Sequence, residues 1–199
     1  MTVALVSRQG RQLQRYNSCG SRLIVGCIPY KVKTMPCDPD QAVEVLVISS
    51  SKKRQEIMFP KGGWEQDESI IQAANRETFE EAGVLGHLEV SVQTFFVYYT
   101  ILSSFVRGGS SLTRTAFHGS QDSLGRWRYK SKSHDKIHEA VMFPLNVTEE
   151  LYYWPEKAIR TRKWIGVAEA MAECKHSWMK EALARLVKRL SSEDLEMIP

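Results

Sequence analysis

Val, Ile and Leu concentrate in two runs near the start of the chain, Leu23 to Val32 and Ala42 to Ile48. Between them Met35-Pro36-Cys37-Asp38-Pro39-Asp40 carries the Pro and Asp residues of a turn, so strand, loop and strand are predicted. A third apolar run, Ile57-Met58-Phe59, stops at Pro60 and meets Gly62-Gly63. Asp67 then stands where an N-cap is needed for a helix to Ala82, with Gly83 placed to stop it. Further strands are predicted at Trp127 to Lys132, Ala140 to Val147 and Trp164 to Val167. Helices over 167 to 175 and 177 to 190 close the chain, the second with Trp178, Ala182 and Leu186 beside Leu183, Val187 and Leu190 at helical spacing. Mixed strands, a central helix and C-terminal helices read as a layered α/β domain.

Residues 90 to 121 interrupt this plan. Val90 to Phe105 follows no clean period of 2 or 3.6, and Arg107 to Gln121 is a polar tract rich in Gly, Ser and Thr. A loop of that length is foreign to a compact domain. Every Val codon begins with GT and Gln can be encoded CAG, so the segment reads as an in-frame translated intron or a disordered insertion. The expected organisation is a basic arm over 1–20, one domain over 21–190 that contains the insertion, and a tail over 191–199.

Composition narrows the class. With 199 residues, 43% hydrophobic and 25% charged, the chain has the make-up of one soluble globular domain. No apolar run reaches the roughly 18 to 20 residues of a membrane span, and no secretory h-region opens the sequence. A cytoplasmic or nuclear protein is expected on that ground. Yet no acidic residue precedes Asp38, whereas Arg8, Arg11, Arg15, Arg22, Lys31 and Lys33 do. That imbalance fits a solvated basic arm, a basic face for a polyanion, or an Arg-rich mitochondrial transit segment. Cys19, Cys27, Cys37 and Cys174 form no CxxC pair and have no His at zinc spacing, so reduced thiols are expected.

The chemistry lies in residues 62 to 84. At about 100° per residue, Glu77, Glu80 and Glu81 share an arc of about 100° on the helix. Three carboxylates so close repel one another, and a hard divalent cation with a preference for oxygen ligands relieves that repulsion. Ile71, Thr78, Phe79 and Ala82 are expected to form the neighbouring face, packed on a sheet. Gly62 and Gly63 leave room for a phosphate or a metal to approach the main chain. An ordinary solvated face held by an Arg76 to Glu80 pair explains the local composition equally well. It does not explain the spacing. Gly62, five residues, Glu68, seven residues, Arg76-Glu77, two residues, Glu80-Glu81, one residue and Gly83-Val84 arise together by chance on the order of once in 10⁸ starting positions.

That pattern resembles the signature of the Nudix hydrolases, with Thr78 where the family usually has a bulky aliphatic residue. The resemblance implies an α/β/α sandwich and hydrolysis of a phosphoanhydride bond with Mg²⁺, or Mn²⁺ in its place. It implies that Glu77, Glu80 and Glu81 hold metal, that Arg76 and Glu68 orient loop and helix, and that Gly83 ends the helix; Glu77 as the base that activates water is the open alternative. Arg15-Tyr16, Gly26-Cys27-Ile28-Pro29-Tyr30, Ser49-Ser50-Ser51, Phe59-Pro60-Lys61-Gly62-Gly63-Trp64-Glu65, Trp127-Arg128-Tyr129-Lys130 and Trp154-Pro155-Glu156 further resemble diphosphoinositol polyphosphate phosphohydrolases, above all those of plants. The insertion is the departure from that group.

A multiply phosphorylated inositol needs many cationic contacts, and Arg binds phosphate in the better fork. Expected substrate contacts are Arg15, Arg22, Ser50, Ser51, Lys53, Lys61, Gly62, Gly63, Arg128, Lys130, Arg160, Arg162 and Lys163. His134 and His138 read as exposed or structural. Two other readings stand beside this one: hydrolysis of dinucleoside polyphosphates, ADP-ribose or an mRNA cap, with Trp64 or Tyr152 to Trp154 stacking a base, and a non-catalytic binder of phosphorylated ligands. A small-molecule polyphosphate is the expected partner, ahead of nucleic acid or a membrane.

Overall fold

The computed structural model describes residues 6–33, 43–51, 55–88, 122–131 and 136–196. Lys53, His134 and the 90 to 121 segment lie outside them. Chain order is β1 (Arg22–Val32), β2 (Val43–Ser49), β3 (Ile57–Met58), β4 (Lys61–Gly63), α1 (Ile70–Ala82), β5 (Val84–Leu88), β6 (Gly125–Lys130), β7 (Ile137–Glu150), β8 (Arg162–Gly166), α2 (Val167–Glu173) and α3 (Ser177–Glu196).

Among the described residues the strands form one eight-stranded sheet with the path β3-β2-β1-β7-β5, joined by β4 on β1, β6 on β7 and β8 on β2. The central pair, β1 and β7, is parallel and runs from Arg22 opposite His138 to Tyr30 opposite Asn146. A strand buried on both faces reads as a nearly continuous apolar run, which is the pattern of these two. Successive side chains then divide between two layers. Val25, Cys27, Leu46, Ile48, Val141, Phe143 and Leu145 face α1. Ile24, Ile28, Val45, Val47, Ala140 and Met142 face the C-terminal helices, where Trp178, Met179, Leu183 and Leu186 meet them. The α/β/α sandwich expected from the sequence is the architecture found.

Several local expectations change. β4 lies where the sequence shows only the break after Pro60 and two glycines, and β5 where it predicts no strand; both owe their state to pairing, β4 with β1 at Ile24 to Gly26 and β5 with β7. Ser69, not Asp67, is the N-cap of α1. Its hydroxyl accepts from the Gln72 amide while the Gln72 side chain accepts from the Ser69 amide, a reciprocal capping box. Asp67 instead accepts from Arg8 at 2.9 Å. Gly83 does end the helix, with φ 63° and ψ 39°. A side chain there would meet strain in the backbone and the ring of Trp154. The buried face of α1 is Ile70, Ala73, Ala74, Thr78 and Ala82 together with the three glutamates. Phe79, about 200° from Glu77 on the wheel, is only partly buried. The carboxylates thus stand within the buried arc, because Ala73 and Ala74 let the helix close on the sheet.

Candidate active site

Arg76 ties β4 and the turn that follows it to the helix. Its Nε and Nη2 donate to the two oxygens of Glu68 at 2.9 and 2.7 Å, Nη2 also to the Gly63 carbonyl at 2.9 Å, and Nη1 to Glu77 at 2.9 Å. Glu68 in turn accepts from the Glu65 amide at 3.1 Å. Such a forked, charge-assisted arrangement fixes the turn against the first half of α1. On the other side of the turn, a Cβ at Gly62 would overlap the Glu77 carboxylate, so that glycine is where the main chain passes directly over the acid.

Each of the three glutamates is buried. Burial, followed by the nearby charge of Glu81, pushes Glu77 up to about 8. Glu80 and Glu81 are raised as well, burial again being the main cause. As they stand, the carboxylates are turned onto donors of the chain: Glu77 onto Arg76, Glu80 onto the Arg8 amide at 3.2 Å and Arg76 at 3.3 Å, and Glu81 onto the Lys61 amide at 2.8 Å and the Arg160 guanidinium. Accordingly no three acidic, His or Cys side chains among the described residues converge at metal-holding distance. The donor set nevertheless suits a divalent cation: three oxygen ligands, poorly solvated and held towards their protonated forms, are the environment that a hard cation relieves.

Glu81, Lys61 and Arg160 also line a cavity of about 370 Å³, which reaches from the end of α1 to Ile24, Trp178 and Met179 of the layer that packs on the C-terminal helices. Its wall includes Arg11, Arg22, Lys130, Ser50, Ser51 and Ser131. Burial and the charge of Arg11 lower the pKa of Arg22, and burial lowers that of Lys61. Arg11 and Arg22 thus put like charges on one wall, and Arg22 also donates through Nε to Gln14 Oε1 at 2.6 Å; such a wall is complementary to an anion. The Tyr129 ring is stacked on Trp178 with centroids 5.0 Å apart and meets His138 edge to face at 5.4 Å. His176 lies 3.5 Å from Glu56 in the same wall.

Of the basic and hydroxyl residues expected to contact substrate, Arg22, Ser50, Ser51, Lys61, Lys130 and Arg160 share this cavity. Arg15 does not: it stacks on Trp64 and donates to the Glu65 and Gln66 carbonyls at 2.8 and 2.7 Å. Arg162 donates to the carbonyls of Ala82, Gly83 and Leu151, and Lys163 pairs with Glu169. Arg128 is exposed on β6 opposite Glu139. Arg11 comes from the N-terminal basic set that the sequence offers as one face for a polyanion, whereas Glu56, Tyr129, His138 and His176 were not anticipated in the wall, and His138 is buried there. Its alternation with Ala140 and Met142 on β7 is the signal that places it on this face.

The NUDIX domain model matches residues 29–186. The chain belongs to the Nudix family. Two Nudix relatives from Arabidopsis thaliana are "Nudix hydrolase 17, mitochondrial", 46% identical over 96% of this chain and 86% of its own length, and "Nudix hydrolase 21, chloroplastic", 44% identical over 94% and 77%. Two solved structures share the Nudix fold at low identity. A C. elegans Ap4A hydrolase complex aligns with TM-score 0.55 and 17% identity over 85% of this chain and 98% of that one. The NUDIX domain of Shewanella oneidensis NrtR with ADP ribose aligns with TM-score 0.56 and 14% identity over 88% and 94%. The chain is therefore a Nudix hydrolase, of a family that acts on pyrophosphate or nucleoside diphosphate derivatives and generally uses divalent metal ions. Among the described residues no helix is long and apolar enough to cross a membrane.

Proposed function

We propose that this Nudix hydrolase cleaves the phosphoanhydride of diphosphoinositol polyphosphates. The observation that carries the reading is the cavity that adjoins Glu81: five cationic side chains, Arg11, Arg22, Lys61, Lys130 and Arg160, with the hydroxyls of Ser50, Ser51 and Ser131. A substrate with several phosphates around one ring matches that wall better than a nucleoside, because the Tyr129, Trp178 and His138 rings are already packed on one another. Arg22 and Arg160 would each grip a phosphate in a fork, with the serines donating to the remaining oxygens.

Glu77, Glu80 and Glu81 would hold Mg²⁺ or Mn²⁺, which when bound screens the diphosphate and stabilises the leaving oxyanion. Arg76 and Glu68 keep β4, with Gly62 and Gly63, beside those ligands, and the close approach of Gly62 to Glu77 fixes where that carboxylate can stand. The test compares kcat/KM for a diphosphoinositol pentakisphosphate, diadenosine tetraphosphate and ADP-ribose in the presence of Mg²⁺. At least tenfold preference for the inositol compound is expected; a tenfold preference for either nucleotide overturns the assignment. We extend the proposal to an organellar address, from the chloroplastic and mitochondrial names of the two relatives and the acid-free stretch before Asp38. Imaging of the tagged full chain tests it, and a purely cytoplasmic or nuclear signal rejects it.

A further inference from the structure

We propose that Arg160 is a latch on the metal site, which holds Glu81 while no divalent cation is bound and turns to the phosphate cavity when one is. The inference rests on the assignment of Glu81 as a metal ligand.

Arg160 is buried and makes three kinds of contact: to Glu81 Oε1 through Nη2, to Glu156 Oε2 through Nε at 2.5 Å, and to the Ser49 carbonyl through Nη1 at 3.1 Å. It also borders the cavity with Arg22 and Lys61. The two oxygens of Glu81 are held differently. Oε2 accepts from the Lys61 main-chain amide, a donor fixed by the pairing of β4 with β1, so this bond aims the carboxylate. Oε1 is held by a side chain, and a side chain can leave.

A guanidinium and a divalent cation on one carboxylate repel each other, so Arg160 and the metal compete for Glu81. Glu156 gives the displaced guanidinium a partner one helical turn's spacing away in sequence, which lets Arg160 swing without becoming an unpaired buried charge. Once released from Glu81, Nη2 is a free donor on a residue that borders the cavity, and phosphate is a natural ligand for it. Binding of metal and of anionic substrate is then coupled through one side chain, and linkage makes the coupling reciprocal.

Mn²⁺ titration of the full-length protein, with free ion followed by electron paramagnetic resonance, tests the latch without reference to turnover or substrate. Arg160→Gln is expected to bind Mn²⁺ at least fivefold more tightly than the unaltered protein, and Arg160→Lys by an intermediate factor. Lys130→Gln, which removes a cavity cation of β6, should stay within twofold. Unchanged or weaker binding by Arg160→Gln overturns the latch, as does an equal gain in Lys130→Gln, which would mark a general effect of charge. A purely structural role for Arg160 predicts loss of affinity, the opposite sign. Should Arg160→Gln fail to fold, the unaltered protein still decides: the Arg160 Nε–H resonance, assigned by its absence in Arg160→Lys, must shift on addition of Mg²⁺, and a stationary signal rejects the proposal. If Glu81→Gln leaves Mn²⁺ binding intact, the ligand assignment fails first; if it weakens binding while Arg160→Gln changes nothing, only the latch fails.

Discussion

The carboxylate of Glu77 occupies the space that a side chain at Gly62 would need. An alanine there must push away either the β4 backbone or the acid. Because β4 is paired with β1 through Val25, the acid is the part that yields. Gly62→Ala is expected to lower kcat by at least about a hundredfold, a barrier change of about 2.7 kcal/mol, while the sheet stays intact. Steady-state kinetics beside a thermal melt check this, and near-normal kcat would show that Glu77 need not stay where it is.

Removal of charge from the carboxylates without change of shape separates chemistry from folding. Glu80→Gln and Glu81→Gln are each expected to cost at least about two orders of magnitude in turnover. Circular dichroism should show a folded protein in both cases. Retained activity in either variant would remove that residue from the metal site.

The raised carboxylates set the pH response of the metal-free protein. In the unfolded chain Glu77 loses its proton near its ordinary value of 4.5, whereas in the fold it keeps the proton up to about 8. Between those limits the folded state binds more protons than the unfolded one, so stability falls as pH rises; Glu80 and Glu81 act with the same sign. In a chelator the melting temperature should drop from about pH 5 to about pH 8, Glu77→Gln should flatten the slope, and saturating Mg²⁺ should restore the loss at the upper end. A metal-free melting temperature that rises over this range in the unaltered protein and in Glu77→Gln alike would contradict the assignment.

Ser69 takes the capping role that the sequence offered to Asp67, and Asp67 pairs with Arg8 in exchange. Ser69→Ala should cost about 1 kcal/mol through loss of the cap. Asp67→Ala should cost less than about 0.5 kcal/mol, because its contact with Arg8 is exposed. Urea denaturation of the two variants orders them, and a larger loss for Asp67→Ala would reverse the capping assignment.

The same exchange explains what was legible and what was not. The helix, its glycine stop and the three carboxylates follow from periodicity and spacing, which are properties of one segment. The choice between Asp67 and Ser69 depends on Arg8, far away in sequence, which engages Asp67. β4 is too short and too rich in glycine to declare itself, and it exists because β1 offers it a partner. Among the cations, composition alone could not tell Arg22, which lines the cavity, from Arg15 and Arg162, whose donors go to main-chain carbonyls. Long side chains of equal charge look alike until the turn that they brace is known.

Arg15 grips the main chain at Glu65 and Gln66, and Arg162 grips it at Ala82 and Gly83. The segment between these points is clamped at both ends, by one residue that precedes β1 and one that opens β8. It is therefore no portable cassette: residues 62 to 84 transplanted into a foreign scaffold would carry the carboxylates but neither brace. A designer who wishes to move this chemistry must bring the partners of its two ends with it, or supply new ones.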